Sequence, residues 1–162
     1  MDRRSALHGL LLASLGSAAP RVVWAETQAA VLALVVAASS PLRDLTLADL
    51  RRIFTGEPFS DPSGTQVVPL NHPPHTPDRV GFDRVVLGMA PDAVAKFWLD
   101  RRIRGQSGAP RTVDSLGMLL KVVAKLPGAI AYIRPQYIKD VSALKIEGVP
   151  PGKPGYRILF GE

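Results

Sequence analysis

Two stretches of this chain carry side chains suited to holding a negative ion. In the first, Ser39 and Ser40 form a two-serine turn directly behind an apolar run. In the second, Asn71-His72-Pro73-Pro74-His75-Thr76-Pro77-Asp78-Arg79 leads into a segment of helical spacing that begins with Val80, Gly81 and Phe82. Hydroxyls, and the N–H groups left free in the first turn of a helix, donate to anions. A planar guanidinium such as that of Arg79 adds a bidentate contact to two oxygens. Each feature also has a plainer reading. Ser39-Ser40-Pro41 can be a turn whose hydroxyls satisfy local backbone, Thr76 a simple helix N-cap, and Arg79 a solvated surface residue.

Other chemistry is poorly supplied. His72 and His75 stand three apart across two prolines, but a closed metal site needs three or four ligands, and residues 26–162 hold no further histidine, so neither metal nor cofactor is expected. No serine lies in a glycine-flanked strand-to-helix elbow, and Asp44, Asp49, Glu57 and Asp61 fall at capping or exposed positions, so catalysis is not expected. Arg101, Arg102, Arg104 and Arg111 form a basic cluster with few aromatic stacking partners; such runs are usually solvated helix ends, and nucleic acid is not expected as a partner.

The elements that must position these residues follow a leader. Arg3 and Arg4, the apolar stretch Leu7 to Ala13 and the small-residue site Val23-Trp24-Ala25 read as an export signal cleaved near Ala25, of the Sec or twin-arginine kind, which predicts a periplasmic or otherwise exported protein. The apolar stretch is broken by Gly16, Pro20 and Arg21, short of the ~20 apolar residues a spanning helix needs, so no stable membrane anchor is expected. Removing this leader lowers the formal net charge from +6 to +4, which suits an oxyanion as well as a nucleic acid. With no cysteine present, stability must come from a core rather than from disulfides. Residues 26–162 are expected to form one domain.

Within that domain, Val31 to Ala38 reads as a strand covered on both faces, as in a parallel sheet. Thr46 with Asp49 announces a helix whose apolar positions are Leu47, Leu50, Ile53 and Phe54 and which stops at Gly56. Val67 to Leu70 is a second buried strand. A helix from Asp78 ends at Gly88, and Pro91 opens the next, with Val94, Phe97 and Trp98 as its buried stripe. Thr112 is expected to cap a third long helix with Leu116, Leu119, Leu120, Val123 and Ala124 on one face. Pro127-Gly128 stops it, Ala129 to Ile133 is a strand, and shorter strands fall around Ser142 to Ile146 and Tyr156 to Phe160. The alternation of strand and helix argues for α/β layering.

Taken in order, several segments resemble small exported phosphate ABC transporter substrate-binding-like proteins, related to the type 2 periplasmic binding proteins. The segments are Leu45-Thr46-Leu47-Ala48-Asp49-Leu50-Arg51-Arg52-Ile53-Phe54-Thr55-Gly56, Thr76-Pro77-Asp78-Arg79 with Phe82, Trp98 followed by Gly105, Pro127-Gly128-Ala129-Ile130-Ala131-Tyr132, and Leu144-Lys145-Ile146-Glu147-Gly148-Val149. The resemblance implies a mixed sheet with helices on both faces and an oxyanion held by Ser39, Ser40, Asn71, His75, Thr76 and Arg79. It further implies a link to phosphate uptake or sensing, with an ABC permease or a sensor protein as partner. Two features depart from the pattern. Where longer relatives place a Ser-Gly-Thr run, this chain has His75-Thr76-Pro77, and Pro77 has no N–H to donate. The chain also has residues for roughly one of the two lobes that close on a ligand, so binding is expected to be weak. An alternative is a non-catalytic interaction module that keeps the fold without the ligand, and an open lobe that leaves apolar surface is compatible with a homodimer.

Overall fold

The computed structural model describes residues 29–161, so the expected leader, 1–25, lies outside the described residues. A five-stranded sheet in the order β5-β4-β6-β2-β7 forms the centre, built from β2 (Ala33–Ala37), β4 (Val68–Asn71), β5 (Arg111–Thr112), β6 (Ala129–Ile133) and β7 (Val141–Ala143). Two small pairs flank it: β1 (Ala30–Val31) with β9 (Leu159–Phe160), antiparallel, and β3 (Asp44–Leu45) with β8 (Lys145–Ile146), parallel. The helices are α1 (Leu47–Phe54), α2 (Pro77–Phe82), α3 (Pro91–Ile103) and α4 (Leu116–Lys125). The fold is therefore α/β, a mixed sheet with helices on both faces.

Alternation along the central strands explains those two faces. Leu34 and Val36 of β2 and Ile130 and Tyr132 of β6 point into one core with Leu50, Ile53 and Phe54 of α1 and Phe82 of α2. Val35, Ala129, Ala131 and Ile133 point the other way, onto Leu119 and Val123 of α4. The apolar run of β2 is thus covered on both faces, but by an antiparallel arrangement: β2 runs against both of its neighbours, β6 and β7. Burial on two faces demands apolar residues whichever way a strand runs, so the run could not reveal its direction.

Local signals set most helix ends. Thr46 caps α1 through a reciprocal pair, its hydroxyl accepting from the Asp49 N–H at 3.0 Å while the Asp49 carboxylate accepts from the Thr46 N–H at 3.1 Å. After α2 the backbone continues through a wider π-turn over Asp83–Leu87 and stops at Gly88, whose φ of 69° is left-handed. Pro91 opens α3 as expected, although only Val94 of its stripe is buried, with Phe97 and Trp98 half-buried. α4 is capped by Ser115, whose hydroxyl accepts from the Met118 N–H at 3.2 Å, rather than by Thr112, which instead pairs with Asn71 in β5. Ala124 is exposed, leaving the buried face of α4 to Leu119 and Val123. The turn into β6 needs Gly128, with φ 78°, because a Cβ there would run into the Gln66 carbonyl.

Candidate functional site

The expected residues fall into two groups, and the direction of β2 separates them. Asn71 ends β4, which runs parallel to β6 with Val68 opposite Ala129, so Asn71 is level with Tyr132. Tyr132 pairs with Leu34 near the start of β2, while Ser39 and Ser40 follow the other end of that strand, beyond Ala37. Three residues of strand, about 10 Å, already separate the two levels, and the loops then leave in opposite directions. The expectation that the serine turn faces the helix start is corrected here: Ser39 and Ser40 sit at the opposite rim of the sheet from His75, Thr76 and Arg79. At that rim the serines serve the turn. Ser39 is exposed, and the buried Ser40 hydroxyl accepts from the Leu42 N–H at 3.2 Å while its carbonyl accepts from Arg43.

At the other rim Arg79 is at the centre of a buried polar cluster. Its Nε donates to Oδ2 of Asp83 at 2.5 Å, one helical turn on, and both residues are buried. Its Nη1 also reaches the His72 carbonyl at 3.3 Å. With the Asn71 amide oriented so that both its ends are satisfied, the carbonyl accepts from Arg79 Nη1 at 2.9 Å and the NH2 faces the Tyr132 hydroxyl at 2.7 Å. The Tyr132 ring stacks on Phe82 with centroids 3.8 Å apart, which anchors the cluster in the core. Burial pushes the Tyr132 phenol well above its ordinary range. Burial also raises the Asp83 carboxyl, against the lowering pull of Arg79, and among the described residues Oδ1 of Asp83 is buried without a hydrogen-bond partner.

Neighbouring charges are paired as well. Arg134 donates to Asp78 at 2.9 Å, placing a carboxylate in the first turn of α2, where the positive end of the helix would otherwise attract an anion. The Thr76 hydroxyl donates to the Pro73 carbonyl at 2.9 Å and makes no cap bond, while His75 is exposed with a left-handed φ of 66°. His72 Nε2 lies 2.8 Å from the Tyr132 carbonyl. Beside the cluster is a cavity of about 250 Å³ whose lining includes His75, Arg79, Asp83, Asp92, Val94 and Trp98. Two carboxylates against one arginine make it a poor place for a tetrahedral anion.

Sequence reasoning missed Asp83, although the signal was available: it lies four residues after Arg79, beside the core residue Phe82, the spacing of a helical ion pair. It also read Arg101 only as part of a solvated basic cluster with few aromatic partners, and did not bring it together with Arg51 and Arg52 of α1. Arg51 and Arg52 of α1 and Arg101 of α3 line a hollow of about 430 Å³ with Phe97, Thr55 and Glu57. The Arg101 guanidinium lies 5.5 Å from the Phe97 ring and 5.8 Å from that of Trp98. The residues three and four before Arg101 are those two aromatics, so the stacking was readable.

The architecture is a mixed sheet sandwiched by helices, with a short helix following β4. No protein-family model and no curated protein matches the chain. Among solved structures, the chain is similar to an ABC-type phosphate transport receptor from Vibrio cholerae, with a TM-score of 0.65 and 18% identity over 82% of this chain and 55% of the receptor. PstS from Borrelia burgdorferi gives a TM-score of 0.65 at 16% identity, with the same coverage of 82% and 55%. A protein from Clostridium perfringens, described as a phosphate ABC transporter substrate-binding protein and solved with bound phosphate, gives 0.59 at 24% identity over 75% of this chain and 46% of its own. The likeness establishes the fold, and the chain spans about half the length of these proteins. Among the described residues, no helix is long and apolar enough to cross a membrane.

Proposed function

We propose that the chain is an exported, non-catalytic lobe of the substrate-binding fold that serves phosphate uptake or sensing through another protein, an ABC permease or a sensor, and has no tight oxyanion site of its own. One observation carries this reading: both arginines at the histidine-loop rim are neutralised by carboxylates, Arg79 by Asp83 and Arg134 by Asp78. An incoming phosphate would have to displace a buried ion pair, and exposed pairs worth ~1 kcal/mol or less would fall short of the ~8 kcal/mol behind micromolar affinity. The likeness in fold to phosphate receptors supports the biological setting.

A second reading is favoured by the likeness to a structure that holds phosphate. In it Asn71, His75, Thr76 and Arg79 bind an oxyanion weakly. Thermal melts of residues 26–162 against phosphate and sulfate separate the two. The first reading expects a melting temperature that stays flat to tens of millimolar phosphate. A rise with the logarithm of phosphate concentration, abolished in His75→Ala and Thr76→Ala variants, establishes the second.

A further inference from the structure

We propose that the groove between α1 and α3 docks an acidic segment of a protein partner. Arg51, Arg52 and Arg101 against Glu57 give this hollow a net positive charge of two. Past Arg101 it adjoins a second hollow of about 270 Å³, lined by Phe97, Asp100, Arg101, Arg104 and Gln106. Arg52 is paired with Glu57 at 3.0 Å, both half-exposed, but among the described residues Arg51, Arg101 and Arg104 form no ion pair. Arg51 is aimed by a bond from its Nε to the Val86 carbonyl at 2.9 Å. Arg101 is held by the Phe97 and Trp98 rings, and its Nε is buried with no partner among the described residues. Side chains held in place lose less entropy on binding than free ones, so this arginine is set up to receive an acceptor.

The shape selects the class of ligand. Both hollows are open to solvent, where a single charge pair contributes little, so one small ion gains too few contacts. A segment bearing several carboxylates and running past Arg101 meets arginines in both hollows and sums their contributions. A nucleic acid fits less well, because the two rings it would stack on are already covered by Arg101.

The test is fluorescence anisotropy of a labelled oligoglutamate peptide titrated with the 26–162 chain at low ionic strength. Binding should weaken about tenfold or more in Arg101→Gln/Arg104→Gln and should be unchanged in Lys153→Gln, an exposed charge change elsewhere. Circular dichroism confirms that the variants fold, and hydrogen exchange of the unaltered chain should show protection confined to α1 and α3 when peptide is added. The proposal is overturned if the peptide does not bind, if Lys153→Gln weakens it as much, if protection falls elsewhere, or if single-stranded oligothymidylate or inorganic phosphate binds more tightly. This site rests on the reading that the chain works through a partner. The phosphate melts test that reading and the peptide tests the groove, so either can fail alone.

Discussion

The histidine-loop rim and the α1–α3 groove both present arginines, yet they differ in what those arginines face. At the rim Arg79 is buried against Asp83, Asn71 and the His72 carbonyl, and the aromatic stack of Phe82 on Tyr132 lies beneath. In the groove Arg51 and Arg101 are fixed by a carbonyl and by two rings, neither of which cancels their charge. Surrounding a cation with acceptors makes it part of the core, whereas supporting it on apolar or uncharged groups leaves it able to attract a ligand.

The largest expected effect breaks the rim. Arg79→Met should cost about 3–5 kcal/mol at neutral pH, because it leaves the Asp83 carboxylate buried and unpaired. Urea unfolding measures it. The Asp83 carboxyl is already raised above its unfolded value of 3.8 by burial. A raised folded value means that its contribution to stability is fully present below the unfolded value and is lost as pH rises through the folded one. Removing the lowering pull of Arg79 raises the folded value further, so the variant should recover stability on acidification relative to the parent chain. A deficit that is the same at every pH would mean that Asp83 is not the group left behind.

Next in size, Tyr132→Phe should cost about 1–3 kcal/mol, since the buried Asn71 amide loses a partner while the ring stack is kept. Thr46→Ala should cost about 1 kcal/mol by removing the reciprocal cap of α1; a thermal melt that does not move would show that packing alone fixes that wall of the groove. Smallest of all, Arg101→Gln should change stability by about 1 kcal/mol or less, the scale of a cation–ring contact at a half-exposed site. A larger loss would place Arg101 with Arg79, as a structural residue, and erase the contrast between the two regions.

Much of this fold was legible in local chemistry. Thr46 with Asp49, Gly88 as a stop and Pro91 as a first helical residue each act within a turn, so their meaning survives without knowledge of the rest of the chain. Long-range choices were less accessible. The apolar pattern of Val31 to Ala38 specifies burial on two faces but not direction, and direction decides where Ser39 and Ser40 go. Thr112 looked like a cap because its own sequence context suits one, but Asn71 claims its backbone as a strand partner and Ser115 takes over. Of the site residues, Arg79 was recognised as a cation in a significant place, while its charge was cancelled by Asp83 within the same helix turn.

The reversed course of β2 has a further consequence for how the domain can be handled. A body gripping the bend at Ser39 approaches from one pole of the molecule, and a body meeting His75 approaches from the other. Two neighbours can therefore hold the domain simultaneously without competing for the same ground.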